Sequence, residues 1–140
     1  MRLKQVLSIE QMKHLQELGL DTGDASMHWQ YLPTADAIIN GTDEIEEKPC
    51  FFVSQPNMKH EYPAYTLQDI LGLLPKEIRT STDTYCLTIS IYDCKEWYIC
   101  YSMSDEFDYY KEFKSGQLID AAYEMLCWCI EKGDVGKEIE

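Results

Sequence analysis

The chain has 140 residues, of which 45% are hydrophobic and 26% charged, and a formal net charge of −13. This is too apolar for a disordered chain and fits a single folded domain over residues 1–140. So negative a surface repels phosphate backbones, which disfavours direct nucleic-acid binding and is compatible with a basic protein partner.

The opening residues hold no apolar run long enough for a signal peptide, and no stretch approaches the roughly 18 apolar residues of a membrane span. A cytoplasmic protein with no membrane partner is therefore expected. The six cysteines, Cys50, Cys86, Cys94, Cys100, Cys127 and Cys129, are then expected as free thiols packed like small apolar groups. None of them forms a C-x-x-C pair.

In chain order, Ser8 and Gln11 form a capping-box pattern that opens a helix. Ile9, Met12, Leu15 and Leu18 make its apolar stripe, Gly19 ends it, and His14 lies on the solvated side among Glu10, Lys13 and Glu17. Residues 25–32 read as a half-buried strand, with Met27, Trp29 and Tyr31 inward and His28 outward, stopped by Pro33. Residues 33–63 form an irregular acidic section with Asp36, Asp43, Glu44, Glu46 and Glu47, and Asn40-Gly41 reads as a turn. A structureless loop of that length is unusual in a compact domain, so a second strand is placed at 50–54 (CFFVS), pairing with the first. The remainder is read as a turn-rich connection, which contains His60.

Thr66 caps a second helix, with Asp69 favouring its N-terminus, Leu67, Ile70, Leu71 and Leu74 buried, and Pro75 as the stop. Gly72 weakens this helix by about 1 kcal/mol relative to alanine. Residues 85–92 and 97–103 are the clearest strands. Pairing their oilier faces sets Ile91 opposite Trp97, Ile89 opposite Ile99 and Leu87 opposite Tyr101, leaving a tight loop of Asp93, Cys94 and Lys95. Residues 104–113 (SDEFDYYKEF) read as an acidic, tyrosine-rich link.

The longest helical period spans residues 115–133. Leu118, Ala122, Met125, Leu126 and Cys129 share one side, widened by Ile119, Tyr123 and Ile130, while Asp120, Glu124 and Glu131 lie opposite. Ser115 is the expected N-cap and Lys132-Gly133 the finish. Trp128 flanks the stripe, where it either covers the core edge or marks a contact surface. The resulting order, α-β-β-α-β-β-α, predicts an α+β domain: an antiparallel sheet of about four strands in two hairpins, with three helices.

Three segments carry a resemblance: LSIEQMKHLQELGLDTGDASM (7–27), YTLQDILGLLPKEI (65–78) and LIDAAYEMLCWCIEKG (118–133). Together they resemble a family of small proteins of Bacteroides-type genomes and their prophages or mobile elements. The family has no assigned activity and no catalytic residues to carry over, so the resemblance implies a cytoplasmic bacterial or phage setting.

The chain has no phosphate-binding glycine loop, H-E-x-x-H or G-x-S-x-G, so no catalytic, cofactor-binding or metal residues are assigned. Cys50 with His28 or His60 is the one nucleophile–base pairing the order of strands allows. Cys86 and Cys100 lie diagonally on the outer hairpin face without the two further ligands that zinc needs. Cys127 and Cys129 are roughly 200° apart on a helix. Asp105, Glu106 and Asp108 read as an acid/base cluster, a cation site or a solvated linker, of which the linker is preferred. Tyr109 and Tyr110 beside them favour a protein contact. The expected partner surface is thus Trp128, Asp105, Glu106, Asp108, Tyr109 and Tyr110. The expected function is a non-enzymatic protein-interaction module of a prophage or mobile element, with a homo-oligomer left open. The alternatives are a small hydrolase or transferase with a Cys/His or carboxylate site, and an acidic nucleic-acid mimic.

Overall fold

The computed structural model describes residues 3–47, 49, 51–53, 61–92, 94–103 and 109–135. In chain order its elements are α1 (Ile9–Glu17), β1 (Met27–Gln30), α2 (Ala35–Asn40), β2 (Phe51–Val53), β3 (Glu61–Ala64), α3 (Leu67–Leu73), β4 (Glu77–Arg79), β5 (Thr84–Tyr92), β6 (Glu96–Ser102), β7 (Tyr109–Ser115) and α4 (Leu118–Lys132). The class is α+β. In place of one sheet built from two hairpins there are two antiparallel sheets, ordered β2-β1-β3 and β4-β5-β6-β7, and a fourth helix.

Local chemistry sets the helix starts. The Ser8 hydroxyl accepts from the Gln11 amide at 3.1 Å, and the Gln11 side chain accepts from the Ser8 N–H at 3.0 Å. Thr66 and Asp69 repeat this box at α3. Such reciprocal caps satisfy donors that the first turn leaves orphaned. The start of α4 differs from expectation. Ser115 is the last residue of β7, and Gln117 holds the cap position without a side-chain bond. Strand β7 carries the chain straight into the helix, so Ser115 stays in the ladder opposite Trp97. At the other end Gly133 takes φ +84, the left-handed conformation that closes a helix C-terminus.

Section 33–63 contains more regular structure than its sequence suggests. Strand β2 pairs with β1 as expected. The other side of β1 is taken by β3, with Pro63 opposite His28. Proline lacks a ladder donor, and it is tolerated here because β3 is an edge strand. The turn expected at Asn40-Gly41 is the close of helix α2, with Gly41 at φ +68. As the middle strand, β1 does not show clean alternation: Met27, His28 and Trp29 are half-buried and Gln30 is buried, so His28 is not an outward-facing surface histidine.

The β5–β6 register is the predicted one, with Ile91 opposite Trp97, Ile89 opposite Ile99 and Leu87 opposite Tyr101. Its apolar face is covered only in part. Ile99 and Tyr101 are buried under α4, whereas Ile91 at the far end is 54% exposed. Cys100 and Ser102, on the opposite face, are buried as well.

A single core joins the layers. Helix α4 packs on β6, β7 and α3, while α1 packs on β3. Met12 and Leu15 of α1, Ile70 of α3, Ile99 and Tyr101 of β6, and Met125 and Leu126 of α4 meet in one cluster. The buried side of α4 is broader than the expected stripe, since Ala121 and Cys127 are also inside. Lys4 ties the N-terminal segment to α4, with its ammonium 2.7 Å from both Asp120 and Gln11.

Gly72 is an exposed position within α3, and a methyl group there would meet nothing within 4 Å. Gly72→Ala should therefore stabilise the protein by about 0.5–1 kcal/mol by removing backbone freedom from the unfolded chain. A urea midpoint that stays level or falls would contradict this.

Candidate protein-interaction surface

The last strand and the last helix bring together two of the residues singled out from sequence. Residues 109–113 are part of β7 rather than a link. Lys111 lies opposite Tyr101 and Tyr109 opposite Ser102, so Tyr110 is the extra residue of a β-bulge. A bulge re-aims a side chain. Here it returns Tyr110 to the α4 side of the sheet, while Tyr109 shares the other face with Ser102.

On the α4 side the Tyr110 ring meets Trp128 edge-on at 5.8 Å between centroids and lies tilted against Tyr85 at 5.0 Å. Trp128 lies in turn 6.4 Å from the buried Tyr101 ring. Offset and edge-to-face contacts of this kind add to the area each ring buries. Trp128 is half-buried and packs against the core, so it covers the core edge while part of it stays accessible.

Two lysines cap the rings. The Lys132 ammonium sits 4.8 Å from the centroids of both Tyr110 and Trp128, donates to the Tyr110 hydroxyl at 3.3 Å and pairs with Asp134 at 3.2 Å. Partial burial works to lower its pKa, but Asp134 and Tyr110 outweigh this and hold it above the ordinary lysine value. Lys111 lies 5.1 Å from the Phe113 ring and 5.8 Å from Trp128. A cation within about 6 Å of an aromatic face is attracted by the ring's negative face. Beside the platform, His14, Phe113, Tyr123, Cys127 and Trp128 line an open groove of about 360 Å³.

Strand β7 is also a sheet edge. Among the described residues it pairs only with β6, so the hydrogen-bonding groups on its other side meet no strand. Lys111, Glu112 and Lys114 place charges along it, which guards an edge against indiscriminate pairing.

Sequence reading found Trp128, Tyr109 and Tyr110 but missed Lys111, Lys132, Phe113 and Tyr85. The available signal was the run YYKEFK, in which each of Tyr110 and Phe113 is followed directly by a lysine. Asp105, Glu106 and Asp108 lie outside the described residues.

The pairing of Cys50 with His60 also lies outside them. His28 is half-buried between Val53 and Pro63 in register, and its Nδ1 has no hydrogen-bond partner among the described residues. His14 is exposed, 3.8 Å from Glu17. Burial pushes the thiols of Cys100 and Cys127 above the usual range and that of Cys129 up to about 11, so all three are protonated at neutral pH. Cys86 and Cys94 are exposed. Among the described residues no three His, Cys, Asp or Glu side chains are grouped to hold a metal ion, and no helix is long and apolar enough to cross a membrane. No protein-family model, curated protein or solved structure matches the chain.

Proposed function

We propose that the protein is a non-enzymatic interaction module of the bacterial cytoplasm, an accessory product of a prophage or mobile element. Its contact surface is the aromatic platform at the β7 edge. The observation that carries this reading is the bulge that sets Tyr110 edge-on to Trp128 on a seven-residue strand whose outer side, among the described residues, meets no other strand. An edge strand offers main-chain hydrogen bonds to an extended segment of a partner, and flanking aromatic side chains supply anchors with little rotamer entropy to lose. The charges on β7 restrict which segments can add to it. The prophage setting rests on the resemblance of the three sequence segments.

The test compares the wild-type chain with Tyr110→Ala in extracts of the native host, followed by titration of the purified partner. Tyr110 is 40% exposed, so its removal should leave the fold intact. A discrete partner whose affinity falls at least tenfold in the variant supports the reading. Equal affinity for both proteins contradicts it, as does an extract that yields no partner while a metabolite raises the melting temperature.

A further inference from the structure

We propose that α2 and its flanking segment form a second docking site, independent of the aromatic platform, for a lysine- or arginine-rich amphipathic helix of another protein. Helix α2 is anchored through Ala37, which is buried, and it presents two adjacent isoleucines to solvent: Ile38 is 69% exposed and Ile39 79%. Leu32, just before the helix, is 40% exposed. Large β-branched side chains are poor choices for the outer face of a short helix, where they gain neither helix propensity nor burial. Two neighbouring, largely exposed isoleucines on an otherwise polar segment offer apolar area to an interaction partner.

The segment that carries them is well built. Thr34 caps the helix through the Ala37 amide at 3.0 Å, and Gly41 closes it. The Thr34 amide donates to Glu44 at 3.1 Å and the Glu46 amide to Leu32 at 2.9 Å, which joins the two arms at the Pro33–Ile45 bridge. Between these arms lies a cleft of about 750 Å³, lined in part by Leu32, Pro33, Ile45, Glu46 and Pro49.

Charge identifies the occupant. Asp36, Asp43, Glu44, Glu46 and Glu47 are all exposed and belong to the same segment of chain as the isoleucines. Positions 33–47 hold no lysine or arginine, and the next basic residue in sequence is Lys48. So acidic a segment attracts cationic side chains, whereas a second copy of a chain with net charge −13 is repelled. The backbone of α2 is helical, so an incoming strand finds no ladder there to join. The partner must therefore offer side chains, with an apolar stripe for Ile38 and Ile39 and basic residues on its flanks, which is the surface of a basic amphipathic helix.

The experiment measures fluorescence anisotropy of a labelled leucine/lysine amphipathic peptide with the full chain. The control is a peptide of the same composition, scrambled to destroy the apolar face. The Ile38→Ser/Ile39→Ser variant and the milder Ile39→Thr are tested alongside, each checked for an unchanged melting temperature. Expected are wild-type binding that weakens with added salt, at least tenfold weaker binding by the double variant, an intermediate loss for Ile39→Thr, and at least tenfold weaker binding of the scrambled peptide. Equal binding by the isoleucine variants, or equal binding of the scrambled peptide, would reduce the site to general polyanion attraction and overturn the proposal. Absence of peptide binding, or a dimer in sedimentation that the isoleucine substitutions abolish, overturns it too.

Discussion

Leu126→Ala should lower the free energy of unfolding by about 3 kcal/mol, the scale of a buried large-to-small change that leaves a partly collapsed cavity. Leu126 is fully buried near the middle of α4, in the cluster where α1, α3, β6 and α4 meet. The space it leaves cannot be filled by moving one element alone, because α4 is held against both the sheet and α3. The comparison that gives the number meaning is Ile91→Ala. Ile91 has the same type of side chain and lies on the core-facing side of its strand, but more than half of its surface is exposed. It should cost well under 1 kcal/mol, because little apolar area returns to water. Urea denaturation of the two variants at matched slope would decide this. If Leu126→Ala were as mild as Ile91→Ala, α4 would not be the element that closes the core.

Asp69→Ala should cost about 2 kcal/mol at neutral pH, more than a helix cap alone is worth, because the carboxylate holds two segments together. One oxygen accepts from the amides of Thr66 and Ser26, each at 3.0 Å, and the other accepts from the Ser26 hydroxyl. Thr66 opens α3 and Ser26 precedes β1, so the same side chain caps a helix and fastens it to the three-stranded sheet. Burial works to raise the Asp69 pKa, and the bonds from Ser26 and Thr66 override it, leaving the net value below the ordinary aspartate range. A carboxylate with a lowered folded-state pKa contributes stability that is fully present above its unfolded value of about 3.9 and is lost as pH falls through the folded value. The gap between wild type and Asp69→Ala should thus be flat from about pH 5 to pH 8 and narrow below about pH 4. Asp69→Asn, which keeps one acceptor oxygen for the two amides, should lose less. A gap that does not change on acidification would show that Asp69 acts by shape rather than by charge.

The parts of the fold that could be read in advance are those where the deciding interaction is short-range. Ser8 with Gln11 and Thr66 with Asp69 start helices by bonding within their own first turns, so a few residues contain the whole argument. The β5–β6 register follows from alternation on both strands and a loop too short to allow a slip. Strand β3 was hidden because Pro63 reads as a breaker, and only its place at a sheet edge, where no donor is needed, makes it a strand. Strand β7 was hidden because its lysines and glutamate read as a solvated link. Those charges belong to an edge strand whose partner, β6, had already been given one neighbour. Helix α2 is only six residues long, too short to show a helical period within an acidic section.

The same division holds for the candidate site. The sequence alone determined that Trp128 lies at the margin of the α4 stripe and that Tyr109 and Tyr110 are adjacent tyrosines in acidic surroundings, since these are matters of period and neighbourhood. Tertiary structure decided that the two tyrosines part company, that only Tyr110 reaches Trp128, and that Lys132 and Lys111 cover the rings. The physical reason is the one-residue bulge in β7, which is defined only against β6 and which turns one side chain to the opposite face of the sheet.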